Sequence, residues 1–228
     1  MSMNINDYFV DSVWLKEATE RYIGSGKFKD TFLKMPDKER KSLIYHYVID
    51  NEPYVFKTKP LLMEQTKQFI ADSIGQISVE DIRLIGSAKT GFSLDPNKYG
   101  KSFNNDSDLD FTIISPGLLD LLKNDYNTWT RAVNDGVLST EGRNRRYWKD
   151  NIRVIKKSFT KGYIDTHLLP NLKDYCPNAQ LIADTMSKVT IKLKEKQQID
   201  VRLCSVRVYK NYQIFLDYIV SGINKSLS

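Results

Sequence analysis

The chain is poor in the residues that staple or ligate. Its 228 residues include two cysteines, Cys176 and Cys204, and two histidines, His46 and His167. Two cysteines cannot build a disulfide framework, and with so few histidines they make no zinc constellation. No apolar run approaches the roughly 18 to 20 residues that a membrane-spanning helix needs. The opening segment MSMNINDYFVDSVWLK has no basic stretch ahead of an apolar core and no small-residue cleavage site, so nothing argues for secretion. These absences lead us to expect a protein of the reducing cytoplasm with no membrane partner. Gly/Ser linkers, proline-rich tracts, internal repeats and low-complexity stretches are missing too, so a chain of 26.4 kDa is expected to form one continuous unit.

What the chain does have is positive charge and helical patterning. A net charge of +6 and a pI near 9.1 favour contact with polyanions, although an excess of this size is also ordinary for solubility. Phe9, Val13, Ala18 and Tyr22 recur near helical spacing and predict a helix from about 6 to 23, with Gly24 and Gly26 as its stop. Further helices are predicted at about 28 to 35 and 37 to 50, then an extended stretch at 51 to 59, then a helix from Pro60 to Ile74 closed by Gly75. Short apolar strands follow at 81–85 and 109–114. Ser115-Pro116 opens a helix to about Asn134, and a basic helix spans about Glu141 to Phe159. After a short helix at 178–187, Val189–Lys194 and Ile199–Cys204 are read as a hairpin, and Val206–Leu227 as a closing helix whose Tyr209, Tyr212, Phe215 and Tyr218 form a core stripe. The expected fold is therefore α+β, a small mixed sheet flanked by N- and C-terminal helices. Its parts would be an N-terminal helical segment (1–59), a core (60–205) and a C-terminal helix (206–228).

The chemistry-bearing stretch is LIGSAKTG (84–91) followed by SDLDFTII (107–114). An apolar strand ending in Gly86-Ser87 leaves unpaired backbone N–H groups and a hydroxyl where an anion approaches without a side chain in the way. Alone this is a common feature of strand ends. Asp108 and Asp110 stand two residues apart at the start of a strand, so both carboxylates face one way while Leu109 turns inward. Like charges held that close call for a shared cation or a raised pKa, and oxygen-only donors select Mg2+ or Mn2+. The ordinary alternative is a loop-closing Asp108 and a solvated Asp110. The apolar run Phe111, Ile113, Ile114 weighs against it, because it marks a buried strand entered through paired acids.

Together, Gly-Ser after one strand and Asp-Leu-Asp opening the next resemble the signature of the polymerase-β-like nucleotidyltransferases, over about residues 80 to 205 with the sharp motifs confined to 84–114. The resemblance implies neighbouring strands, β- and γ-phosphates of a nucleoside triphosphate bound at Gly86 and Ser87, and divalent metal held by Asp108 and Asp110. It implies transfer of a nucleoside monophosphate from an NTP or dNTP to a hydroxyl, with pyrophosphate released. A third carboxylate on a later strand is usual; Asp200, in the expected hairpin, is the preferred candidate and Asp165 its rival. The long Ser87-to-Asp108 connection departs from the pattern. It is expected to arch over the nucleotide, with Lys89, Thr90 or Lys101 reaching its phosphates.

Between Glu141 and Lys161 eight Lys or Arg stand against two acids. Trp148, Ile152, Ile155 and Phe159 form an apolar stripe opposite Arg146, Lys149, Arg153 and Lys157, which leaves a basic face for a polyanion or simply for water. Stand-alone members of the superfamily include drug-modifying adenylyltransferases, toxins that modify tRNA or proteins, and antiviral-defence enzymes that make nucleotide signals. The basic face favours the last two groups, with an oligonucleotide, RNA or protein acceptor and an operon-encoded protein as candidate partner. A catalytically inactive, antitoxin-like binding module is the alternative, and a sugar- or phosphate-handling enzyme a distant third.

Overall fold

Four short, largely apolar segments build the sheet that carries the candidate site. A computed structural model describes residues 19–142 and 145–227. Strands β1 (Ile82–Ile85), β2 (Leu109–Ile114), β3 (Tyr163–Asp165) and β4 (Cys204–Tyr209) lie in the order β1-β2-β4-β3. β1 is antiparallel to β2 with Ile85 opposite Asp110, β2 is parallel to β4 with Asp110 opposite Ser205, and β3 is antiparallel to β4 with Asp165 opposite Arg207. Paired residues share a face and successive residues alternate. Leu84, Leu109, Phe111, Val206 and Val208 therefore point to one side, and Asp110, Ser205, Arg207 and Asp165 to the other.

Eight α-helices among the described residues cover this sheet: α1 (Ser25–Lys34), α2 (Asp37–Ile44), α3 (Pro60–Ile74), α4 (Ser87–Thr90), α5 (Pro116–Asn134), α6 (Trp148–Thr160), α7 (Pro177–Gln197) and α8 (Tyr212–Leu227). The apolar face packs against Ile70 of α3, Leu122 and Trp129 of α5, Ile155 of α6 and Ile182 of α7. On the opposite face, Ile85, Ile114 and Tyr209 meet Phe28 of α1, Ile44 of α2 and Phe215 of α8. Each fully buried side chain of this size contributes about 1.5 to 3 kcal/mol. Because only part of the second face is covered by these helices, the end of the sheet that bears Asp110 and Ser205 stays accessible.

Local signals explain several elements. Ser115 caps α5 by accepting a hydrogen bond from the Leu118 N–H at 3.2 Å, with Pro116 in the first turn. Buried Asp125 of α5 accepts from the Ala179 N–H at 2.9 Å and from the Asn178 side chain at 2.8 Å. It thereby caps the start of α7 from another helix and sets where α7 runs. No helix among the described residues is long and apolar enough to cross a membrane.

The α+β class is as read from the sequence, but the second half is wired differently. The hairpin at 189–204 does not form: α7 runs through Val189–Lys194 to Gln197. Val189 and Leu193 are buried four residues apart while Ile191 is 51 % exposed, a pattern that a helix satisfies and a strand's two-residue repeat does not. Gln198, with φ of 55°, ends it. The closing helix starts at Tyr212, not Val206, because Cys204, Val206 and Val208 alternate into the core as β4. The sheet thus crosses the expected boundary at 205. The stretch 51–59 holds a 3-10 turn at Tyr54–Phe56, with Phe56 buried. The helix expected at 6–23 falls mostly in residues 1–18, outside the described residues, as do residues 143 and 144 of the expected basic helix.

Candidate active site

The β1–β2 pair brings the Gly-Ser turn against the acids. Gly86 has φ of 72° and ψ of −159°, and a Cβ built on it would lie 2.9 Å from Asp110 Oδ2. Only glycine fits so close to this carboxylate. Ser87 follows in the first turn of α4, where backbone N–H groups lack partners within the helix. Asp110 Oδ1 accepts from Ser205 Oγ at 2.9 Å. Burial pushes the Asp110 carboxyl above the usual carboxylate range; Asp108 and Asp165 add to this, while the Ser205 hydrogen bond and Arg207 oppose it.

Asp108 precedes β2 and is gripped at both oxygens by Arg202, at 2.8 Å to Oδ1 and 2.5 Å to Oδ2. Arg202 itself is 63 % exposed at the side chain, so this clamp is a surface one and water competes with it. Asp108 and Asp110 line one cleft of about 820 Å3, which also takes in Tyr147, His167, Met186 and Arg207. Two carboxylates beside a cleft are oxygen donors of the kind a hard divalent cation takes, and no group of three or more potential ligands stands together among the described residues.

Asp200, expected as a third carboxylate, does not stand beside the other two. Asp200 is exposed and lies outside the cleft, because α7 replaces the first arm of the hairpin that was to carry it inward. The position on β4 opposite Asp110 is Ser205. Asp165, the rival, does line the cleft, but β4 separates its strand from β2 and Arg207 holds both its oxygens, at 2.5 and 3.0 Å. Arg207 also lies over the Tyr218 ring at 4.5 Å; burial opposes its charge, but the hydrogen bonds and charge of Asp165 together with Tyr209 raise its pKa and keep it charged.

Two of the expected phosphate contacts are engaged elsewhere. The Lys89 ammonium is buried and donates to the Asn51 carbonyl, in a second cavity with Glu64 and Arg83. Burial lowers its pKa to about 8. Thr90 is buried and its hydroxyl donates to the Phe92 carbonyl at 2.5 Å. The 91–107 connection is tied to α1 and α8 instead of standing free: Tyr99 donates to the Ser25 carbonyl at 2.8 Å, and Ser226 to the Leu94 carbonyl. Lys101 is exposed on it.

The basic helix begins at Trp148, not Glu141, leaving Arg146 in the turn before it, and over that span it is amphipathic as read. Trp148 and Ile155 are buried, whereas Arg146, Lys149, Arg153 and Lys157 are exposed. Sequence reading missed Arg202, Ser205 and Arg207. The alternation of Cys204–Tyr209 was the available signal, and it was masked by reading Tyr209 as the first step of a helical stripe. Both thiols are poor nucleophiles: burial pushes Cys176 up to about 12 and Cys204 up to about 11. No family model, curated protein or solved structure matches the chain.

Proposed function

We propose that the protein is a metal-dependent nucleotidyltransferase, moving a nucleoside monophosphate from an NTP or dNTP to a hydroxyl acceptor. The observation that carries this reading is the packing of the Asp110 carboxylate against the backbone of Gly86, with Asp108 on the same cleft. A phosphate seat and a carboxylate pair are worth little apart; side by side on adjacent strands they serve phosphoryl chemistry. In the reaction the acceptor oxygen bonds to the α-phosphorus, the bond from that phosphorus to the α,β-bridging oxygen breaks, pyrophosphate leaves, and the hydroxyl proton passes to solvent. Gly86 and Ser87 would bind the β- and γ-phosphates, and Asp108 and Asp110 would hold Mg2+ or Mn2+. Such ions supply charge neutralisation on the phosphates and activation of the attacking hydroxyl. Ser205 orients Asp110, and Arg202 must release Asp108 before that carboxylate is available.

The test is incubation with labelled NTPs and dNTPs plus Mg2+ or Mn2+, with and without RNA, following pyrophosphate release and the mass of products. Turnover must vanish in the Asp108→Ala/Asp110→Ala double variant; turnover that survives it overturns the assignment. One observation favours a second reading, a nucleotidyltransferase fold kept as a binding module: arginines occupy both Asp108 and Asp165, and no acid stands opposite Asp110 on β4. Salt-sensitive nucleic-acid binding with no metal-dependent turnover supports that view.

A further inference from the structure

The cleft that holds Asp108 and Asp110 continues to the first turn of α6, where Tyr147, Trp148 and Asn151 form part of its wall. Trp148 is only 7 % exposed and belongs to the core, but Tyr147 is 56 % exposed. An outward aromatic ring at the mouth of this cleft is open to a stacking partner. The Arg146 guanidinium sits 4.5 Å from the centroid of that ring. Beyond it, Lys149, Arg153 and Lys157 recur every fourth residue on the exposed side of α6, a row about 12 Å long at the helical rise. The one acid between 145 and 161 is Asp150, paired with Arg153 at 2.7 Å.

Tyr147 lines the cleft of the two carboxylates, and the Arg146 on its ring stands at the start of a row of cations on the outer side of α6. A lone mononucleotide acceptor has no use for the row. A duplex offers a base face only at its two terminal pairs and holds its other bases stacked. A single strand uses both, because its phosphates track cations while an unpaired base stacks on an aromatic side chain. We infer that the acceptor hydroxyl belongs to the end of a single-stranded polynucleotide that follows the outer face of α6 and stacks a terminal base on Tyr147. This rests on the transferase reading for the word acceptor, but the strand-binding surface stands on its own geometry.

The test is fluorescence anisotropy with labelled single-stranded RNA and DNA of about 12 nucleotides, a duplex of the same sequence and a polyglutamate peptide, across a series of KCl concentrations and without nucleotide or divalent metal. Single strands should bind best, with affinity falling steeply as salt rises. Arg153→Glu/Lys157→Glu should weaken binding at least tenfold, on the order expected for lost phosphate contacts. Tyr147→Ala should cost about tenfold and leave the salt dependence unchanged. Lys38→Glu/Lys41→Glu on α2, with the same change of net charge on another exposed surface, should stay close to wild type. Binding that ignores the α6 substitutions, or equal binding of duplex or polyglutamate, overturns the inference. Pyrophosphate release measured on the same proteins separates the two claims. Strand binding lost with α6 but no turnover sinks the transferase alone, whereas turnover with α6-independent binding sinks the strand path alone.

Discussion

Gly86 and Asp110 touch across the β1–β2 pair, with Asp110 Oδ2 only 2.9 Å from where a Cβ at position 86 would stand. The carboxylate cannot simply swing away, since Oδ1 is held by Ser205 on the other neighbouring strand. Gly86→Ala adds a methyl against that oxygen and forces a side chain into a backbone region reserved for glycine. The expected cost is about 1 to 3 kcal/mol of stability from the backbone alone, read by denaturant unfolding. Nucleotidyl transfer should fall further than folding does, because the displaced group is Asp110. Full activity at unchanged stability would show that the close approach has no role.

Arg202 and Asp108 yield a prediction of opposite sign. The arginine is exposed and competes with a cation for Asp108. Arg202→Gln should leave the melting temperature near wild type and tighten Mn2+ binding, measured by the loss of free-ion paramagnetic resonance signal. Unchanged Mn2+ affinity in this variant would remove Asp108 from the set of ligands.

The first half of the site was legible because it is local. Gly86, Ser87, Asp108 and Asp110 sit at strand ends whose alternation is visible in short windows, and the β1–β2 pairing follows from their being consecutive strands. Asp200 failed for a non-local reason. Val189–Lys194 reads equally as strand or helix by pattern; the choice is made by α3 and the sheet burying Val189 and Leu193, with Asp125 capping α7 from another helix. Once α7 absorbs that segment, β4 shifts to Cys204–Tyr209 and Asp200 is left in solvent. Lys89 failed similarly, because nothing near it in sequence announces the Asn51 carbonyl that receives its ammonium.

Asp200 and Asp165 can be told apart by single substitutions. Asp200 is exposed and outside the cleft, so Asp200→Asn should match wild type in both stability and turnover. Asp165→Asn leaves the Arg207 guanidinium without its counter-charge between Tyr163 and Tyr218. The expected loss is on the order of 2 kcal/mol, below that of a fully buried pair because both partners retain some exposure. Thermal or urea unfolding checks it. A turnover defect in a fully stable Asp200→Asn would restore the sequence-based choice of third acid.

Lys89 makes stability depend on pH in a direction that can be worked out. Burial lowers its folded-state pKa to about 8 from 10.5. Between those values the unfolded chain holds more protons than the folded one, so stability rises with pH across that window. Below pH 8 the full cost of burying the charge, about 3 kcal/mol, is present. Lys89→Met removes the titrating group. Urea unfolding of the two proteins from pH 7 to 10 should therefore show wild type gaining stability relative to the variant as pH rises. Because the ammonium faces Asn51 and not the cleft, the same substitution should leave nucleotide affinity intact. A pH-independent difference would mean the ammonium is well solvated, and loss of nucleotide binding would return Lys89 to the phosphate seat.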